Sequence, residues 1–371
     1  MKNDRANILI IENSKSFTGA FSSILNYANR LKEYFNFVWV IPTNSEVRPS
    51  LEEYSFVIYE VPFHEISKNL KSMLYPLILI RNTLLINRII EIHGIKIVHV
   101  NDLYNMCGVL LKIFTSTKVV YHIRLLPTSY IGNFFFLYKS LVSLVADRIC
   151  VVSNAVRKYF KRSSKVILLS DWIQIPQTGE KKNSQLFIIL YVGAVMKGKG
   201  QMEALKVARL LKGETEHFQM KFVGSYDEKD SFYKSLEEYV HSNDLQNHIV
   251  FEGFKNDLTK TYSNANVLLN LSFSESFSMV SLEASMHSLP VISYDSGGPS
   301  DIIDDGNSGH LVDLGDIHKV RDLLSKYESN PKLLQELGVK ARTRVKKKFS
   351  GDMQCQTLCD LYHMLIDQQV H

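Results

Sequence analysis

Short runs of β-branched and apolar residues alternate with longer amphipathic stretches through most of this 371-residue chain, the pattern of a parallel sheet wound with helices. In the first half the runs are Ile8 to Ile11, Phe37 to Ile41, Val57 to Val61, Lys96 to Val100, Lys118 to His122, Arg148 to Val152 and Lys165 to Leu168. In the second half they are Phe187 to Val192, Phe218 to Val223, Ile249 to Phe251, Val267 to Asn270 and Pro290 to Ser293. Between the two series, Ser170 to Gln185 carries Pro176, Gly179 and several polar residues without apolar period, and reads as a linker. After Gly309 the pattern turns helical, near Gly315 to Glu328, Pro331 to Lys348 and Met353 to Gln368. No internal repeat stands out. The expected fold class is α/β: one doubly wound domain over 1–170, a linker at 171–185, a second such domain over 186–349, and a C-terminal helix at 350–371 able to pack back on the first domain. Ligands in such folds sit at the carboxyl ends of the strands, and two facing domains would put the site in the cleft between them.

Composition removes the competing classes. With 45% hydrophobic and 22% charged residues, 18 glycines and 9 prolines, the chain is not disordered, collagen-like or a coiled coil. Cys107, Cys150, Cys355 and Cys359 are too few to staple a chain of this size, and Cys355 and Cys359 lack the spacing of a redox or zinc knuckle. They read as reduced thiols of a cytosolic protein. The opening residues lack a signal-peptide pattern, and the longest apolar runs, such as Met73 to Ile80, fall short of the roughly 18 to 20 residues of a membrane span.

Charge is unevenly placed. Residues 1–180 hold 21 Lys and Arg against 13 Asp and Glu, whereas the remainder holds 22 against 25. A basic half suggests an anionic partner, nucleic acid or membrane surface, although a solvated surface with uneven lysines gives the same count. Within it, Tyr130 to Ala146 and Phe63 to Ile90, the latter with Lys68, Lys71, Arg81 and Arg88, mix apolar faces with cations. Such segments are either core helices of the first domain or helices that lie on an anionic membrane.

Two stretches carry the chemistry. The first, YVGAVMKGKG at Tyr191 to Gly200, follows a strand and precedes an amphipathic helix, so Gly193 and Gly198 allow a sharp turn while the helix start offers free N–H groups to a phosphate. Lys199 adds a cation. Gly193, Gly198 and Lys199 nearly match a Walker A loop, but Gly200 stands where that loop needs a hydroxyl for magnesium. A nucleoside triphosphatase is disfavoured and a diphosphate site is not. The second stretch, SESFSMVSLEA at Ser274 to Ala284, places Glu275 in the loop after a strand and Glu283 just over one turn into a helix beginning near Met279. That helix start can hold an anion, and Glu283 can accept from a pair of sugar hydroxyls. The turn Gly297-Gly298-Pro299 follows the next strand. A solvated helix carboxylate and ordinary strand-to-helix turns are the plainer explanations of each motif alone.

Taken together, these motifs, the Phe251-Glu252-Gly253 turn and the strand opening Leu289-Pro290-Val291-Ile292 resemble the second domain of family 4 retaining glycosyltransferases of the GT-B fold, over roughly residues 187 to 349. The first half is similar more loosely, at Ser14 to Ala20, Lys96 to Asp102, Val119 to Arg124 and Asp147 to Phe160. The resemblance implies two Rossmann-like domains facing a cleft and transfer from a nucleotide sugar, UDP-linked by preference, onto a saccharide or lipid-linked saccharide in surface polysaccharide synthesis. It implies that Lys199 neutralises the donor diphosphate, that Glu283 holds the ribose, that Glu275 lies beside the donor sugar, and that His122 faces the reacting sugar. Phe277, Ser278 and Met279 would offer backbone amides, Val280 would lie near the base, Gly193 and Phe254 would complete the donor site, and Gly19 would stand in a loop near donor and acceptor. Arg124 falls on the acceptor side.

The family's arginine after the first glycine is here Ala194, which leaves Lys197 or Arg124 to replace it, or a weaker enzyme. No Asp-x-Asp triplet occurs, so metal-independent transfer without any cofactor is expected, with lysine and helix ends stabilising the leaving group. The hexosyl or N-acetylhexosaminyl identity of the sugar stays open. No nucleic acid partner is expected, and the protein would be cytoplasmic, with peripheral association at the inner membrane. Two other activities fit the same fold: a catalytically weak nucleotide-sugar-binding subunit, and a sugar-nucleotide epimerase.

Overall fold

A computed structural model describes residues 5–63, 74–129, 133–160, 163–174 and 186–369. The chain divides into two compact units, Met1–Trp172 with Gly351–His371, and Ile173–Ser350.

Unit 1 runs β1 (Asn7–Glu12), α1 (Gly19–Leu31), β2 (Asn36–Pro42), α2 (Arg48–Glu53), β3 (Val57–Val61), α3 (Tyr75–His93), β4 (Ile95–Asn101), α4 (Cys107–Phe114), β5 (Lys118–Ile123), α5 (Phe134–Val145), β6 (Arg148–Val151), α6 (Asn154–Arg157) and β7 (Val166–Leu168). All pairings are parallel and the strand order is β3-β2-β1-β4-β5-β6-β7. The continuous apolar run of β1 is explained by this order, because Ile8, Leu9 and Ile10 are wholly buried in a central strand. α1 starts where Thr18 accepts from the Phe21 amide at 3.1 Å, and it lays Phe21, Ile24, Tyr27 and Leu31 on the sheet. The last helix, α14 (Gly351–Asp367), belongs to this unit. It packs against α1 and β4, with Leu358, Leu361, Tyr362 and Leu365 in the same apolar cluster as β1.

Unit 2 runs β8 (Phe187–Val192), α7 (Gln201–Lys212), β9 (Phe218–Val223), α8 (Ser231–Ser242), β10 (Ile249–Gly253), α9 (Thr259–Ser263), β11 (Val267–Asn270), α10 (Met279–Met286), β12 (Val291–Tyr294), α11 (Pro299–Ile302), β13 (Gly309–Val312), α12 (Ile317–Glu328) and α13 (Pro331–Lys348). Its sheet is again parallel, ordered β10-β9-β8-β11-β12-β13. Its core joins Ile189, Tyr191, Leu205, Phe222, Leu269 and Leu324.

Two sequence expectations are corrected here. The chain does not become helical directly after Gly309, because Gly309–Val312 pairs with β12 from Val291↔Gly309 to Tyr294↔Val312. So short an edge strand, with His310 and Leu311 only half-buried, has too little apolar period of its own and is fixed by the sheet beside it. Asp171 and Trp172, expected in the linker, are 4% and 5% exposed inside unit 1. Asp171 pairs with Arg124, and Trp172 meets Tyr27 edge to face at 6.1 Å. The rest of the expected linker, 175–185, lies outside the described residues, as do Lys68, Lys71 and residues 130–132 of the two amphipathic segments.

Candidate active site

In unit 2 the strand order reverses between β8 and β11, and the loops leaving these two strands carry both motifs. The β8 loop is tied down at several points. Gly193 N–H donates to Val223 O at 2.9 Å, Val195 N–H to Ser225 O at 2.9 Å, and Phe273 N–H to Gly198 O at 3.0 Å. The Tyr191 hydroxyl donates to Lys199 O and accepts from Leu271 N–H at 3.1 Å, so a core tyrosine pins the lysine's backbone. Gly200 caps α7 at φ +81°, and a Cβ there would stand 2.0 Å from Leu271 O. Sterics therefore exclude the Ser or Thr of a Walker loop at this position.

The β11 loop is fixed from the other side. Glu275 N–H donates to Ser296 O at 3.2 Å, and Gly298 N–H returns to Glu275 O at 2.7 Å. At Gly298 a Cβ would come within 2.3 Å of the Phe277 backbone, so the Gly297-Gly298 turn serves close approach to the 276–277 segment. Phe277 itself is 2% exposed and packs edge to face on Phe349 at 5.3 Å. Ser278 caps α10 at φ +85°, but its side chain accepts from no backbone amide of the first turn. Its hydroxyl accepts from Asn270 Nδ2 at 3.0 Å and meets Ser281 Oγ at 2.7 Å instead. The first-turn N–H groups of Met279 and Val280, both half-buried, thus keep the partial positive charge of an uncapped helix start.

These two loops bring Lys199 and Glu275 together. Nζ lies 2.8 Å from Oε1, with side chains 38% and 14% exposed. An ion pair this open is worth at most about 1 kcal/mol, so an incoming polyanion can take the lysine at small cost. Glu283, half-buried on α10, accepts from the Tyr262 hydroxyl at 2.7 Å. Burial raises its pKa and the tyrosine bond opposes the rise. Tyr262 in turn stacks on His287 at 5.2 Å. Sequence reasoning missed Tyr262, Tyr191 and Asn270. Tyr262 and Asn270 lie outside the glycine and glutamate motifs and Tyr191 only opens one, so the fold alone brings them to the named glutamates and lysine. Phe254 stands 67% exposed just past β10, two strands from β8, and Ala194 and Lys197 are exposed on the β8 loop.

Unit 1 has its own reversal point, between β1 and β4, and there the charged groups are sealed. Glu12 and Asn101 bond side chain to side chain, and Asn101 accepts from Arg124 Nε at 2.5 Å. Arg124 also pairs with Asp171, which accepts from Ser23 Oγ at 2.5 Å. His122 is fully buried, with Nε2 donating to Leu169 O at 3.1 Å and Nδ1 accepting from Arg124 at 3.2 Å. Burial, then Arg124 and His99, hold His122 well below the usual imidazole range, so it stays neutral. Both ring nitrogens of this residue are occupied, and Arg124 is 3% exposed. Gly19 stands exposed at the start of α1.

Among the described residues no group of His, Cys, Asp and Glu is arranged to hold a metal ion, and no helix is long and apolar enough to cross a membrane. All four cysteines are free and buried.

Residues 174–344 match the family described as glycosyl transferases group 1. The capsular polysaccharide biosynthesis glycosyltransferase CapM of Staphylococcus aureus is 26% identical over 182 residues, 49% of this chain and 47% of that protein. The chain thus spans about half the length of the curated relatives it matches. Among solved structures, a glycosyltransferase from Rickettsia africae superposes at TM-score 0.84 with 18% identity, covering 98% of this chain and 99% of that one. HepE of Anabaena, solved with UDP and glucose, superposes at TM-score 0.82 with 16% identity, covering 96% and 99%.

Proposed function

Since residues 174–344 belong to the group 1 glycosyl transferases on a chain with the GT-B fold, we propose that this protein transfers a sugar from a nucleotide sugar to a saccharide or lipid-linked saccharide in surface polysaccharide synthesis. The observation that carries the reading is the Lys199–Glu275 pair at 2.8 Å, at the switch point of unit 2 on the loop leading into the uncapped start of α10. A uridine diphosphate donor is favoured, since HepE is solved with UDP.

In this reading Lys199 leaves Glu275 for the diphosphate, and the α10 amides near Ser278, Met279 and Val280 bind its oxygens. Charge that develops on the leaving group then meets donors already in place. Glu275, released, lies beside the donor sugar, Glu283 accepts from the ribose hydroxyls, and Phe254 offers its exposed ring to the base. Transfer retains configuration by front-face displacement and needs no metal. The acceptor oxygen bonds to the anomeric carbon, the bond to the diphosphate breaks, and the departing phosphate oxygen takes the acceptor proton. Unit 1 serves the acceptor side, with Gly19 at the start of α1 and with His122 and Arg124 holding the ends of β4 and β5. A lipid-linked acceptor would bring the protein to the cytoplasmic face of a membrane.

Replacing Lys199 by Ala, or Glu283 by Ala, is expected to lower donor turnover by about 10²- to 10³-fold with the fold intact. Full activity in both variants would overturn the reading. Ala194, where the family has arginine, favours a second one, a binding subunit. Calorimetric binding of a nucleotide sugar with neither transfer nor hydrolysis would select it.

A further inference from the structure

On the loops that leave β8, β11 and β12, positive φ falls on Gly193, Gly198, Gly200, Gly297 and Ser278. All but Ser278 are glycines. Ser278, at φ +85° and ψ 75°, occupies left-handed space with a Cβ that crowds the carbonyl after it, so its surroundings must hold it there.

The side chains beneath it form a strut. Asn270, the last residue of β11, is fixed by its strand, which sets it opposite Ser293 of β12. The Ser272 amide can only donate, so it takes Asn270 Oδ1 at 3.2 Å, and that choice turns Asn270 Nδ2 to Ser278 Oγ at 3.0 Å. Ser278 Oγ in turn meets Ser281 Oγ at 2.7 Å in the first turn of α10. Asn270, Ser272, Ser278 and Ser281 are each 4% exposed or less, so their side chains act on one another inside the unit. One carboxamide thus closes both ends of the loop that carries Glu275. The Ser272 end has other ties, because Leu271 N–H donates to the Tyr191 hydroxyl at 3.1 Å and Phe273 N–H to Gly198 O at 3.0 Å. The Ser278 end holds the costly conformation, and the next amides are those of Met279 and Val280.

We propose that Asn270 is a positioning residue for the donor site: its carboxamide keeps Ser278 left-handed and thereby aims the first amides of α10. The purpose rests on the reading that these amides take the donor diphosphate, whereas the strut is a property of the fold alone. Neither Asn270 nor the Ser278 hydroxyl touches the donor in this account. What reaches the nucleotide is the backbone that they set.

Two variants at one position separate conformation from chemistry. Ser278→Ala and Ser278→Gly both remove the hydroxyl, but only glycine takes φ +85° without it. Calorimetry with UDP should show Ser278→Gly binding about tenfold tighter than Ser278→Ala. Asn270→Leu, close in size but unable to bond, should weaken UDP about tenfold in the wild-type background and by about twofold or less in the Ser278→Gly background. Equal affinities of the Ala and Gly variants overturn the inference, as does an Asn270→Leu loss of the same size in both backgrounds. Should Asn270→Leu fail to fold, the Ser278 pair decides alone. Urea unfolding reads the strut without any nucleotide: the stability lost in Asn270→Leu should fall to roughly half or less once Ser278 is glycine, and additive losses show that the strut is absent. Wild type that does not bind UDP, with the unfolding coupling present, strikes the proposed function and the donor role of Asn270 while the strut stands. Wild type that binds UDP, with Asn270→Leu binding equally well, strikes the inference and leaves the proposed function standing.

Discussion

Both sheets reverse their strand order at the same topological place, yet the two reversal points treat charge in opposite ways. In unit 1 the groups there are closed in: Glu12, Asn101, Arg124 and Asp171 are 1% to 4% exposed and bond to one another. In unit 2 the Lys199–Glu275 pair is open to water on the lysine side. A sealed ion pair has already lost its hydration and depends on its partner, so removing one member leaves an uncompensated charge. An open pair loses little when its partner leaves, which is what a polyanion site requires. One topology thus yields a sealed brace in one unit and an open ion pair in the other, the pair proposed above to receive the donor.

Unpairing each site separates them most sharply. Arg124→Leu should destabilise the protein by about 3 to 5 kcal/mol in urea unfolding, by stranding Asp171. Lys199→Ala should cost under about 1 kcal/mol in the same experiment. Equal losses would erase the contrast.

A smaller effect comes from pH. Burial pushes His99 down to about 3 and His122 well below its usual range, so the unfolded chain binds protons first as pH falls. Stability is complete above the unfolded histidine pKa and declines below it. Each histidine contributes about 1.4 kcal/mol per pH unit between about pH 6 and pH 4.5. Glu12, raised by burial, contributes with the opposite sign, so the measurement is a difference. His99→Gln should remove one histidine's share of the slope, and an unchanged slope would show that His99 protonates in the folded state.

The smallest expected effect probes the open site. Tyr262→Phe removes the bond that orients Glu283 and should raise the donor KM by about three- to tenfold with kcat kept. Without that hydroxyl the Glu283 pKa rises further, so the donor KM should worsen on acidification at higher pH than in wild type. A fall in kcat alone would contradict this positioning role.

How far the sequence could be read depended on where each signal resides. β8 and β11 coincide with their apolar runs, because a strand buried on both faces needs a continuous run. β13 was not legible, since Gly309–Val312 is held by β12 and not by its own pattern. Lys199, Glu275 and Glu283 could be picked out because glycine turns and a helix start bracket them. Tyr262, placed 21 residues before Glu283 on a short helix, has no such bracket. His122 and Arg124 show the reverse case, conspicuous in the sequence but enclosed in the structure by Leu169, Asn101 and Asp171.

The amino-acid sequence by itself determined the two parallel sheets and the stretches that meet at their strand ends, because apolar period and glycine turns are local properties. Which of those charges stay open to a ligand was decided by tertiary structure alone. Burial and pairing depend on residues as far apart as Lys199 and Glu275, or Arg124 and Asp171, and no local pattern encodes whether such a pair faces water or the core.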